Sequence, residues 1–268
     1  MSRIKPRRRH RAAGYAVLML GLLVVGVAYA AITGAGGAAS AATPGGPSPQ
    51  DIARGQAIFA NTCSSCHGMN AQGTGAGPSL VGVGAAAVDF QMSTGRMPGK
   101  DFDAEMPRKP VTFTTEQIHQ VAAYVASLGG GPAIPSPAQV STAGANLGLG
   151  QQIFITNCAQ CHNFAGAGGA LTYGKSAPPL THSTPTQIYE AMLTGPEAMP
   201  VFSDTTVTPA QKRAIIAYIT SVRAEPNPGG FSLGRVGPVT EGLVAFLGGI
   251  AVLVFVAIWI TMKKRREA

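Results

Sequence analysis

The chain has 268 residues, 46% hydrophobic and only 12% charged, with a formal net charge of +8. The excess sits at the ends: residues 1–11 carry six bases and no acid, and residues 263–268 carry four bases against Glu267. The 251 residues between hold ten bases and eleven acids, which excludes the basic patch that nucleic-acid binding needs; no Walker loop or dinucleotide fingerprint is present either.

In chain order, the basic tail 1–11 is followed by an uncharged run over residues 12–32, AAGYAVLMLGLLVVGVAYAAI. As a helix it is about 31 Å long, against a hydrocarbon core of about 30 Å. The same run, followed by the small residues Ala39-Ser40-Ala41, also reads as a secretory signal. Residues 12–32 are therefore a transmembrane helix or a signal anchor, and whether it is cleaved stays open. Either way, the positive-inside rule keeps the tail in the cytoplasm and sends the following chain outside.

After a linker over residues 33–50 comes an internal repeat, residues 51–128 and 146–224. Gly55-Gln56-Ala57-Ile58-Phe59 precedes Cys63-Ser64-Ser65-Cys66-His67, and Gly150-Gln151-Gln152-Ile153-Phe154 precedes Cys158-Ala159-Gln160-Cys161-His162. The closing segments Thr114 to Leu128 and Thr208 to Val222 also align. Both read as amphipathic helices opened by capping boxes, Thr114…Gln117 and Thr208…Gln211, the second with Pro209 at the first helical position. Val121, Val125 and Leu128 mark one apolar stripe, and Ile215, Ile219 and Val222 its equivalent. A domain of about 80 residues buries only a small core by itself, so something else should fill these interiors.

Pro- and Gly-rich linkers cover residues 129–145 and 225–241. The chain ends with a second uncharged run, residues 242–262, and the basic tail 263–268. Trp259 lies near the basic end of that run, where an interfacial ring belongs. Both ends independently put the repeats on the extracytoplasmic side of the plasma membrane.

All four cysteines belong to the two CxxCH motifs. On a helix, residues three and four apart share a face. Cys63 and Cys66 can therefore each form a thioether with one haem, and His67 can reach its iron from the same side. Cys158, Cys161 and His162 repeat the arrangement. This is the spacing of c-type haem attachment and predicts two covalently bound haem c groups. A structural zinc site would not need His after both pairs. A thioredoxin-like pair expects a βαβ setting, and disulfides leave the trailing histidines unexplained.

The sixth iron ligand must come from farther along, and a soft, neutral Met thioether suits electron transfer. Thr94-Gly95-Arg96-Met97-Pro98 matches Thr194-Gly195-Pro196-Glu197-Ala198-Met199-Pro200 with two residues inserted. Met97 and Met199 are the expected ligands, with Met106 a rival to Met97. Met92 and Met192 read as core-packing residues, His119 as part of a solvated helix face, and His10 and His182 as non-ligands. No nucleophile–base pair or open metal position is visible, so no catalytic residue is expected.

On these residues, each repeat resembles class I cytochrome c. The resemblance rests on Gly55/Phe59 or Gly150/Phe154, the CxxCH, Pro78-Ser79-Leu80 or Pro178-Pro179-Leu180, the Met-Pro, and a closing helix with Tyr124 or Tyr218. It implies an all-α chain of two tandem class I cytochrome c domains with transmembrane helices at the N- and C-termini. It also implies that Phe59 packs with Tyr124 and Phe154 with Tyr218, and that the carbonyls of Pro78 and Pro178 accept hydrogen bonds from the proximal histidines. The order of segments resembles the dihaem cytochrome c subunit of the actinobacterial menaquinol–cytochrome c reductase. That resemblance implies electrons taken from a Rieske iron–sulfur protein and passed through two haems to a haem-copper oxidase, with cytochrome b as a further partner. The alternatives are a dihaem subunit of a cytochrome oxidase, where the C-terminal span is not expected, and a dihaem unit serving a periplasmic dehydrogenase. A non-redox module would instead use the CxxC pairs as disulfides.

Overall fold

A computed structural model describes residues 11–35, 47–100, 105–225 and 238–266. The N-terminal tail up to His10, the Ala39-Ser40-Ala41 stretch, most of the first and third linkers and the last two residues lie outside the described residues. The chain divides between Ser48 and Pro49 into two units. In the first, helix α1 spans Arg11–Ala35, and its large apolar side chains from Tyr15 to Tyr29 are all exposed.

In the second unit, helices α2 (Pro49–Thr62), α3 (Ser64–His67), α4 (Ala85–Ser93) and α5 (Thr115–Ser127) form one set. A short turn, α6 (Pro137–Val140), precedes the second set: α7 (Leu147–Asn157), α8 (Ala159–His162), α9 (Pro185–Thr194) and α10 (Pro209–Ala224). In each set the first long helix crosses the last at a glycine. A Cβ on Gly55 would lie 1.9 Å from the carbonyl oxygen of Gln120, and one on Gly150 1.9 Å from that of Ala214. That contact lets Phe59 and Tyr124 approach to 5.3 Å between ring centroids, and Phe154 and Tyr218 to 5.2 Å. Phe59 and Phe154 are each 1% exposed and lie in the two cores, with Val121 and Val125 in one and Ile215 and Ile219 in the other. Both capping boxes of the closing helices are closed.

Among the described residues, one segment forms a small sheet. Residues between His162 and Pro178 outnumber those between His67 and Pro78 by five. The longer loop forms a hairpin of two short antiparallel strands, β1 (Gly169–Ala170) and β2 (Ser176–Ala177), around a 3₁₀ turn at Thr172–Gly174. The chain is thus mostly, but not wholly, helical.

Helix α4 of the first set packs against α9 of the second. Gln187 on α9 donates to the backbone oxygen of Ser93 at 3.3 Å and to its hydroxyl at 3.1 Å. Arg108 donates to Gln187 Oε1 at 2.9 Å and to the carbonyl of His182 at 3.3 Å. The last helix, α11, spans Pro238–Arg266; its stretch Thr240–Met262 is apolar, 23 residues long and wholly unburied within the protein, enough to cross a membrane.

Candidate haem-attachment sites

Each CxxCH is built as an extra turn on the end of a helix. In the first set, Cys63 N–H donates to Phe59 O at 2.8 Å, and His67 N–H to Cys63 O at 3.0 Å. In the second, Cys158 N–H donates to Phe154 O at 2.8 Å, and His162 N–H to Cys158 O at 2.9 Å. The aromatic that anchors the helix in the core also fixes the frame carrying both cysteines and the histidine. Directly after each His the chain turns at positive φ, 80° at Gly68 and 63° at Asn163; glycine and asparagine are the residues that tolerate this best.

That turn brings the following loop back under the imidazole. Leu80 N–H donates to Ala71 O, and Leu180 N–H to Gly166 O, each at 2.8 Å. The loop thereby sets Pro78 O 2.8 Å from His67 Nδ1 and Pro178 O 3.1 Å from His162 Nδ1. A carbonyl only accepts, so Nδ1 carries the proton and Nε2 keeps its lone pair for a metal. His67 is buried. For His162, burial lowers the pKa below the ordinary value while the bond to Pro178 acts the other way; the net effect favours the neutral imidazole that can ligate.

The four cysteines form no disulfide; Cys63 and Cys158 are half-buried, Cys66 and Cys161 exposed. Burial first, and the neighbouring cysteine second, push the Cys63 and Cys158 thiols up to about 11. Met97 packs on the edge of the first core and Met199 on the edge of the second. Each repeat therefore offers two thiols, a lone-pair nitrogen and a thioether sulfur, a donor set that fits haem c.

Met92 and Met192 lie inside the cores, 5% and 3% exposed. Met106 is half-buried, and its N–H donates to Glu197 Oε1 of the other repeat at 3.0 Å. The His119 ring, 54% exposed, lies 3.7 Å from Asp89, and His182 is exposed. Sequence reasoning missed the polar seam between α4 and α9, where Glu190 faces Asp89 and, at its edge, Arg96 faces Glu197. The only signal for it was the two-residue insertion that brings Glu197 into the second Met loop.

Two family models match this chain, cytochrome c over residues 52–129 and cytochrome c oxidase, cbb3-type, subunit III over residues 145–219. The chain is 42% identical to a cytochrome bc1 complex cytochrome c subunit of Corynebacterium efficiens, covering 96% of this chain and 92% of that one. A subunit of the same name from Mycobacterium tuberculosis is 42% identical over 96% of this chain and 93% of its own. A cbb3-type cytochrome c oxidase subunit of Rubrivivax gelatinosus is 32% identical over 45% of this chain and 36% of its own.

Proposed function

The chain belongs to the cytochrome bc1 complex cytochrome c subunits, and from that premise we propose how its residues act in a quinol–cytochrome c reductase. The protein is the membrane-anchored cytochrome c subunit of such a complex. In our reading it holds two haem c groups, in domains over residues 51–128 and 146–224. Cys63 and Cys66 would hold one haem covalently and Cys158 and Cys161 the other; His67 with Met97, and His162 with Met199, would ligate the irons. Bound haem supplies a one-electron couple at each site.

The protein's own part is positional. Pro78 and Pro178 fix the tautomer and orientation of the ligating rings, and Phe59–Tyr124 and Phe154–Tyr218 hold the attachment turns to the cores. With a His and a Met to ligate each iron, neither iron would keep a position for substrate, and the chain would act as the electron-transfer part of an oxidoreductase complex. Electrons come from a Rieske iron–sulfur protein beside cytochrome b and leave to a haem-copper oxidase. The positive-inside rule puts the basic tails in the cytoplasm and the domains outside, with α11 as the C-terminal anchor and residues 12–32 as a second transmembrane helix or a signal anchor.

The repeated His Nδ1–Pro carbonyl contact at both CxxCH turns carries this reading. The likeness to cbb3-type oxidase subunits covers less than half of the chain, which leaves the oxidase-subunit alternative unfavoured. Purification of the full chain in mild detergent tests it. The expected outcome is two c-type haems per chain in a pyridine haemochrome spectrum and co-isolation with cytochrome b and the Rieske protein. Co-isolation with oxidase subunits alone overturns the assignment. Met97→His and Met199→His should each lower one haem potential; an unchanged redox titration means that another residue ligates that iron.

A further inference from the structure

The two repeats diverge beside their ligand methionines in a complementary way. A base, Arg96, directly precedes Met97, and the insertion in the second repeat places an acid, Glu197, two residues before Met199. The fold brings them together: Arg96 Nε lies 3.6 Å from Glu197 Oε1, with the side chains 7% and 20% exposed. The guanidinium carbon sits 5.0 Å from the centroid of the Phe90 ring. Arg96 Nε and Nη1 are buried without a hydrogen bond, so the charge of Glu197 is what offsets their removal from water. Glu197 Oε1 also accepts the Met106 N–H at 3.0 Å. The residue adopts a φ of 57°, a region disfavoured by a Cβ, and the contacts of its carboxylate hold it there.

Adhesion is not what this contact adds. A buried ion pair returns little more than its desolvation costs, and Arg108, Gln187 and Ser93 already bond across the same seam. What the pair does is join the two loops that present Met97 and Met199. We propose that Arg96 and Glu197 are a positioning pair: a charged strut that ties the two methionine loops together and sets the potentials of both haems. This rests on the reading that Met97 and Met199 are the axial ligands. A fixed cation stabilises a reduced iron and a fixed anion an oxidised one, so the unequal placement of the two charges pushes the potentials apart.

The test is a redox titration of the full chain in detergent, with the methionine-to-ferric-iron charge-transfer band recorded alongside. Glu197→Gln should raise both potentials and Arg96→Gln should lower both. The expected size is about tenfold in the reduction equilibrium for one unit charge across a partly dry seam, or ~59 mV for a one-electron couple. The charge-retaining variants Glu197→Asp and Arg96→Lys should return towards the wild-type values. Potentials unmoved by either Gln variant overturn the proposal. So do shifts of the same sign in both Gln variants, or Asp and Lys variants that behave like the Gln ones, since a merely structural contact predicts those. The axial reading fails separately: in that case the charge-transfer band is missing from the wild type, whatever Glu197 does.

Discussion

Glu190 on α9 faces Asp89 on α4 in the seam, with Glu190 fully buried and Asp89 7% exposed. Burial first, and the Asp89 charge second, push the Glu190 carboxyl from 4.5 up to about 10. The folded chain therefore keeps a proton that the unfolded chain releases. A raised acid pKa makes its stabilising contribution in full below about 4.5 and loses it as pH rises towards about 10. Throughout that window one retained proton gives a slope of about −1.4 kcal/mol of stability per pH unit. Between pH 6 and pH 8 the loss is thus about 3 kcal/mol.

Glu190→Gln keeps the shape and a neutral amide donor facing Asp89, and removes the proton exchange. Relative to wild type, the variant should gain about 3 kcal/mol on going from pH 6 to pH 8. At 2–4 °C per kcal/mol, that is a relative shift in Tm of about 6–12 °C. Thermal unfolding of the full haem-bearing chain in detergent, at fixed ionic strength, measures it by circular dichroism and by the haem absorption. Parallel Tm-versus-pH lines for the two proteins would refute the buried, protonated Glu190.

Gly150→Ala forces a methyl group to within 1.9 Å of Ala214 O, an overpacking cost of about 3 kcal/mol or more. Haem staining should show one covalent haem per chain instead of two, and Gly55→Ala should remove the other. Thr208→Ala removes the acceptor that caps α10 through Gln211 N–H, which costs about 1 kcal/mol; a melting curve should show Tm lower by about 2–4 °C. Phe154→Ala empties a 1%-exposed core position, at a cost of about 3–5 kcal/mol; urea unfolding monitored at the haem should read a midpoint shift confined to the second repeat.

The parts of the site that lie close together in the chain could be read from the sequence. Cys63, Cys66 and His67 share one helical turn, so their spacing alone states which atoms face one way. The capping boxes and the apolar stripes of α5 and α10 are legible for the same reason, since each is a local pattern of period 3.6. The Pro78 and Pro178 contacts were accessible only by resemblance. A carbonyl oxygen is present at every residue, and which one meets the imidazole depends on turns at Gly68 and Asn163 that close loops of different length. The hairpin at 169–177 escaped because its strands are two residues each, too short for alternation to show. The seam escaped entirely: Asp89 and Glu190 are about a hundred residues apart, and nothing local marks either as buried.

The composition of that seam carries a further argument. Two homologous helical units could pair through apolar helix faces, yet α4 and α9 meet through Gln187, Ser93, Arg108, Asp89 and Glu190, with Arg96 and Glu197 at the edge. Apolar contact is non-directional, so a greasy seam would tolerate sliding of one unit over the other. Buried polar partners add little net stability but penalise every register that leaves one of them unpaired. Electron transfer between two sites in one chain depends on a fixed separation. A seam whose directional bonds, Gln187 to Ser93 and Arg108 to Gln187, form in one register is the arrangement that need predicts.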